Sequence, residues 1–159
     1  MSLPVLLERS TRPPWRRLPA ALLAVALARP LVKLAPRRLR QVLLTVRRGA
    51  RPASVRRTLR ARDAVVRVSL RCSGQHCLQR SVATALLCRL SGQWPDWCTG
   101  VRTEPFLAHA WVEAEGTPVG ERQDMRLYHV TLRVGARSSR APTHAAGVTV
   151  PWHEEGGSS

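Results

Sequence analysis

Residues 77–90 decide the fold, and they read CLQRSVATALLCRL. Apolar side chains recur in this stretch at helical spacing and cover nearly the whole circumference of the predicted helix. A helix that is apolar almost all round lies at the centre of a domain, because each of its sides needs a covering layer. Ser91 and Gly92 follow immediately and predict where the helix ends.

Strands follow this helix. Residues 97–103 and 106–113 predict two of them, and a turn at Glu115-Gly116 leads to a third that begins near Pro118. Residues 128–134 alternate between apolar and polar side chains and predict a fourth strand. The sequence therefore predicts an α+β fold in which a central helix packs on an antiparallel sheet.

The region ahead of the central helix is predicted to be helical. Residues 18–28, a stretch that follows Pro36, and residues 54–62 each show helical periodicity, with Ser54 placed to cap the last of them. Residues 63–71 favour a continuation of the third helix, although their β-branched valines would also suit a strand.

Charge is distributed unevenly along the chain. The 26 basic residues give a net charge of +16, and Lys33 is the one lysine among them. Residues 1–71 contain 18 of the basic residues and two acids, whereas the remainder carries eight of each. We therefore predict a basic, arginine-rich helical region over 1–71 that serves as a docking surface or scaffold. A catalytic core over 72–134 and a C-terminal segment, 135–159, that is loose at its end follow it.

The chain contains four cysteines, Cys72, Cys77, Cys88 and Cys98. They would permit two disulfides in an exported protein. Residues 12–28 superficially resemble a secretory signal, but the arginine-rich helical pattern continues past Arg29, and the apolar run is shorter than the ~20 residues of a membrane span. We therefore expect no membrane span, a cytoplasmic location and reduced cysteines.

Cys77 opens the central helix, where the helix dipole and free N–H groups favour a thiolate. Lowering the pKa of a thiol from ~8.5 to ~6 requires about 3.4 kcal/mol, whereas a helix end contributes at most ~2 kcal/mol. A cation must supply the remainder. His109 lies mid-strand in the apolar stretch 107–111, so we predict Cys77 as the nucleophile and His109 as the general base. A plain buried cysteine and a core histidine are the alternative.

A third side chain should orient the imidazole. If an odd-length loop centred on Glu115 joins the strands, Glu121 lies opposite His109 on the same face, whereas a two-residue turn would place Arg122 there. Glu121 is therefore the predicted third member. Asp124 is the alternative, and Glu113 ranks behind both.

Two other classes of protein compete with a peptidase. The arginine-rich region would suit a nucleic-acid-binding module, but the chain has one tyrosine and one phenylalanine, so most of the aromatic platform of a single-strand binder is missing. Nucleic acid is therefore not the expected partner. A zinc-stabilised interaction protein would use Cys72, His76, Cys77, Cys88, Cys98 and His109, whose spacing does not match paired zinc ligands. We expect no metal and no cofactor.

Several short blocks of this sequence resemble the lasso-peptide leader peptidases. They are Cys77-Leu78-Gln79-Arg80-Ser81 followed by Leu86-Leu87, then PFLAHAWVE at residues 105–113 and PVGE at residues 118–121. The resemblance extends from about Leu39 to Val134. It implies a transglutaminase-like, papain-like cysteine peptidase core in which Cys77 maps to the nucleophile and His109 to the base. The family pattern has an aspartate as its third member, where this sequence offers Glu121 or Asp124.

The resemblance also implies partners. A peptidase of this family removes the leader from a lasso precursor in the cytoplasm, so that an ATP-dependent cyclase similar to asparagine synthetase can join the new amine to an acidic side chain. Some relatives begin with a strand-containing leader-recognition domain. The first 70 residues here show no such pattern, so we expect a separate recognition protein. The basic region would dock that protein, the leader or the cyclase, and reversing the charges of Arg37, Arg38 and Arg40 should weaken the complex.

Overall fold

The structure is a computed structural model that describes residues 18–69, 76–121 and 124–136. Its helices are α1 (Leu18–Leu31), α2 (Pro36–Val46), α3 (Val55–Val68) and α4 (Cys77–Leu90). A proline begins α2, where its missing N–H costs nothing. Ser54 caps α3, because its hydroxyl accepts a hydrogen bond from the N–H of Arg57. Helices α2 and α3 lie where the sequence predicts them, and α3 continues to Val68 as the periodicity favoured. Helix α1 continues beyond the predicted 18–28 to Leu31, and Pro30, which was expected to end it, lies in its last turn.

The strands are β1 (Arg51–Pro52), β2 (Gln93–Trp94), β3 (Asp96–Thr103), β4 (Phe106–Ala114), β5 (Thr117–Pro118) and β6 (His129–Val134). Strands β3 to β6 form an antiparallel four-stranded sheet in the order β5-β4-β3-β6. The predicted third strand is only two residues long. The parallel pair β1 and β2 was not predicted, because two-residue strands leave no periodicity in the sequence.

Helix α4 lies between the other helices and the sheet. It packs against α1 and α3 on one side and against β3 and β4 on the other. Trp97 of β3 is fully buried and donates a hydrogen bond from Nε1 to the hydroxyl of Ser81 on α4, at 3.1 Å. The fold is thus the α+β arrangement that was predicted, with the central helix on an antiparallel sheet. The core includes side chains from both sides of residue 71, and the division of the chain there stays a prediction.

Helix α1 buries small residues and exposes large ones. Ala21, Ala24 and Ala28 are completely buried, which lets the backbone of α1 approach α4 closely, whereas Leu22 and Leu27 are about half exposed. Within the described ranges, no helix is both long enough and apolar enough to cross a membrane.

Candidate active site

Cys77 is the first residue of α4 and is partly exposed. The main-chain N–H groups of the first helical turn have no partner within the helix, so they surround the thiol with partial positive charge. The main-chain N–H of Ala110 on β4 also donates a hydrogen bond to the sulfur. The sulfur therefore lies where two elements meet, at the positive end of α4 and beside a main-chain donor of β4.

His109 lies in the middle of β4 and faces Cys77. Its Nε2 atom is 2.8 Å from Oε2 of Glu121, and its side chain is 12% exposed. Because Nε2 is engaged by the carboxylate, Nδ1 is the ring nitrogen available to the thiol, and a hydrogen bond links the Cys77 and His109 side chains. The structure therefore brings Cys77, His109 and Glu121 together in one hydrogen-bonded chain.

Glu121 reaches His109 by a route that differs from the one predicted. The turn between β4 and β5 has two residues, Glu115 and Gly116, both with positive φ, and it pairs Ala114 with Thr117. The odd-length loop assumed in the sequence argument was wrong, and regular continuation of the observed register would bring position 122 opposite His109. Strand β5 ends at Pro118, however, and Gly120 has φ +70°, so the chain turns and delivers the carboxylate of Glu121 to the ring.

Arg80 was not anticipated as a neighbour of this site. It lies three residues after Cys77 on α4, and its guanidinium is 4.0 Å from the Glu121 carboxylate, whose side chain is 8% exposed. Residues three apart on a helix share a face, so the spacing alone would have placed Arg80 beside the thiol. Arg80 helps to balance the charge of Glu121 in this nearly buried position.

The electrostatics favour a thiolate–imidazolium pair. The hydrogen bond from His109 lowers the pKa of Cys77, with smaller contributions from the Ala110 N–H and the positive charge of Arg80, and these outweigh the effect of burial. The hydrogen bonds to Cys77 and then to Glu121 raise the pKa of His109 to about 9. Because the two groups interact directly, they titrate as one unit, and their contact favours the charged thiolate–imidazolium form over the neutral pair.

The other acidic candidates lie elsewhere. Asp124 is exposed, caps the short 3₁₀ helix Met125–Leu127 and forms an ion pair with Arg126 at 3.1 Å. Glu113 accepts a hydrogen bond from Nε1 of Trp111 at 2.9 Å and forms an ion pair with Arg133 at 2.9 Å. Neither carboxylate contacts His109, so Glu121 is the acid that the structure places against the imidazole.

Two aromatic rings hold the imidazole in place. The ring of Trp111 lies nearly parallel to that of His109, with 6.2 Å between centroids, and the ring of Tyr128 is tilted against it at 5.8 Å. Trp111 is two residues from His109 on the same strand face, which the sequence shows, whereas Tyr128 arrives from a distant part of the chain. These contacts restrict the rotamers of His109, so the ring keeps the orientation that its two hydrogen bonds require.

A cavity of about 300 Å³ opens beside the sulfur. Cys77 and His109 line it together with side chains of α2, β3 and β6, and the lining is mainly apolar. Gly100, which pairs with His109 across the sheet, is part of this lining. A Cβ atom at Gly100 would lie 2.7 Å from the carbonyl oxygen of His129 and 2.9 Å from Cη2 of Trp111. Glycine is thus required for the close approach of these strands.

The remaining cysteines differ from Cys77. Cys88 and Cys98 are free and buried, and burial raises the pKa of each thiol to about 12. In the three described ranges, no group of three His, Cys, Asp or Glu side chains is arranged to hold a metal ion. Cys72, which belonged to the zinc hypothesis, lies outside the described residues.

A cysteine at the start of a central helix, facing a histidine on an adjacent antiparallel strand, defines the papain-like class of cysteine enzymes. A family model described as the transglutaminase-like superfamily matches residues 21–134, and the chain belongs to that superfamily. The superfamily includes cysteine peptidases. Neither the curated proteins nor the solved structures contain a significant match to this chain.

Proposed function

We propose that this protein is a cysteine peptidase with Cys77 as nucleophile, His109 as general base and acid, and Glu121 as the residue that orients His109. The observation that carries the proposal is the hydrogen-bonded chain from the Cys77 thiol through the imidazole to the Glu121 carboxylate, with 2.8 Å between the last two groups. A nucleophile, a base and an orienting acid in this order form the arrangement that acyl transfer uses.

The chemistry follows from the charged pair. The Cys77 thiolate attacks the scissile carbonyl carbon, a C–S bond forms, and the carbonyl oxygen becomes an oxyanion beside the N–H groups that begin α4. The His109 imidazolium then gives its proton to the leaving amine as the C–N bond breaks, which leaves a thioester on Cys77. Neutral His109 takes a proton from water, the resulting hydroxide attacks the thioester, and the thiolate returns as the acid product leaves.

Glutamate in place of the family's aspartate fits the local backbone. Glu121 stands after the chain has left β5 at Pro118 and turned at Gly120, so its carboxylate approaches Nε2 from outside the regular sheet. The glutamate side chain reaches the ring from there, with Oε2 2.8 Å from Nε2. We propose that Glu121 fixes the imidazole tautomer and stabilises the imidazolium, as the aspartate does in the family pattern.

The proposed substrate is the precursor of a lasso peptide, and the proposed reaction is removal of its leader. The blocks around Cys77 and His109 support this, together with an apolar cavity beside the sulfur that can hold part of a peptide. The cleaved precursor would pass to a cyclase similar to asparagine synthetase. A separate leader-recognition protein would deliver it, and the exposed arginines of the N-terminal helices and the exposed leucines of α1 offer surfaces for docking.

Mass spectrometry of a lasso precursor tests this function. The precursor is incubated with its recognition protein and either the wild-type chain or Cys77→Ala, which removes only the thiol. We expect the wild type to release an intact leader and a core peptide, and we expect the variant to release neither. Equal release by both proteins, or no release by folded wild type with the recognition protein present, would overturn the proposal.

A further inference from the structure

A groove of about 650 Å³ lies between α2 and β6. Its lining consists of Arg37, Arg40, Gln41, Thr131, Leu132 and Arg133. Strand β6 is at one edge of the sheet, and its pairing with β3 contains a bulge at Thr131. Bulges of this kind often lie next to functional sites, because they redirect the side chains of an edge strand.

The groove adjoins the candidate active site. Thr131 and Leu132 line both the groove and the cavity that contains Cys77 and His109. A ligand in the groove would therefore lie next to the cavity beside the sulfur. This position distinguishes the groove from the other arginine-bearing surfaces of the protein.

Of the three arginines that line the groove, Arg37 and Arg40 give it its net positive charge. Arg133 is already engaged, because it forms ion pairs with Asp96 at 2.6 Å and with Glu113 at 2.9 Å. Arg37 and Arg40 are exposed and form no ion pair with another residue in the described part of the chain. None of the groove-lining side chains is acidic. Within the described ranges, the groove therefore has two guanidinium groups without an ion-pair partner.

We propose that this groove binds an acidic segment of the peptide substrate in an extended conformation. The assignment deepens the proposed function and rests on it for the nature of the occupant. Side chains at every second position of an extended peptide point to the same side about 6.6 Å apart. Arg37 and Arg40 are about one helical turn apart on one face of α2, so their flexible side chains can each reach one of two such carboxylates. The recognition protein, the leader and the cyclase were considered as partners of the basic region. The position of the groove next to the cavity that contains Cys77 favours the leader, which is part of the substrate.

The test measures binding in the absence of cleavage, with the Cys77→Ala protein. The probe is a short fluorescein-labelled peptide with glutamate at every second position, and binding is followed by fluorescence anisotropy. We expect Arg37→Glu with Arg40→Glu to weaken binding by about tenfold or more at low salt, and we expect that loss to shrink as salt screens the charges. Arg38→Glu with Arg48→Glu is the matched control, because these exposed residues give the same change in charge but do not line the groove. The control pair should bind the peptide within about twofold of the parent.

Three results would overturn the proposal. One is equal weakening by the two double variants, which would assign binding to total charge rather than to the groove. A second is equal binding of a peptide with lysine in place of glutamate. The third is displacement of the peptide by a single-stranded oligonucleotide of the same charge at equal concentration, which would indicate a polyanion surface. If the groove pattern holds while the wild type cleaves no precursor, the proposed peptidase function fails and the acidic-ligand site stands.

Discussion

Glu121→Gln tests the hydrogen bond between Glu121 and His109, a contact that was predicted from a loop length that the structure does not have. The substitution keeps the size of the side chain and replaces a charged acceptor of the His109 Nε2–H group with a neutral amide. A hydrogen bond between charged groups contributes about 1.5–3 kcal/mol, roughly twice the value for neutral partners. The change should therefore cost the imidazolium about 1.4 kcal/mol, which corresponds to about a tenfold loss in the thiolate–imidazolium population.

The assay is the rate of Cys77 alkylation by iodoacetamide near neutral pH, with the labelled residue located by peptide mapping. It needs no substrate, and Cys88 and Cys98 should react slowly because burial raises the pKa of each thiol to about 12. We expect Glu121→Gln to slow the labelling of Cys77 about tenfold. Asp124→Asn is the matched control, because it removes the same charge from an exposed carboxylate that forms an ion pair with its neighbour Arg126 and does not contact His109, and it should leave the rate unchanged. An unchanged rate in Glu121→Gln, or an equal loss in Asp124→Asn, would refute the assignment.

Three further predictions concern the pH dependence and the packing of the site. Peptidase activity, measured as kcat/KM, should rise with pH as the thiol of Cys77 ionises below its ordinary pKa, and it should fall as His109 loses its proton near pH 9. A continued rise above that pH would contradict the charged pair. Gly100→Ala should lower both the activity and the free energy of unfolding, the latter by about 1–3 kcal/mol in urea denaturation, because its Cβ would collide with the neighbouring strand; wild-type stability would contradict that packing. Leu43→Ala should lower the free energy of unfolding by about 2–5 kcal/mol because Leu43 is fully buried, whereas Leu22→Ala at an exposed position should lower it by less than about 0.5 kcal/mol. Equal losses in the two variants would contradict the described burial.

The sequence predicted the regular elements well because each carries a strong periodic pattern. The apolar stretch that begins at Cys77 is the central helix, and the residues around His109 form the long strand β4 that lies against it. The boundary at residue 71 was predicted from the change in charge along the chain. Charged residues mark the solvated faces of helices, but they do not show which apolar faces share a core. Apolar side chains on both sides of residue 71 meet in one cluster, which periodicity alone does not reveal.

The arrangement of the site depends partly on backbone geometry that cannot be derived from the sequence alone. Cys77 at a helix start and His109 in an apolar strand were recognisable from local chemistry. The position of Glu121 depends on where β5 ends and on the conformation of Gly120, and a register argument is sensitive to a single residue. Tyr128, which directly precedes β6, and the part of the cavity lining that β6 supplies depend on the sheet order, which places β6 beside β3.

The central claim is that Cys77 is the nucleophile, and stoichiometric labelling tests it most directly. The wild-type protein is treated with limiting iodoacetamide near neutral pH, and samples taken over time are divided between peptide mapping and cleavage of the precursor in the presence of the recognition protein. Activity should fall in direct proportion to the fraction of Cys77 that carries the label, while Cys88 and Cys98 stay unmodified. Full cleavage activity after Cys77 is completely labelled would contradict the account.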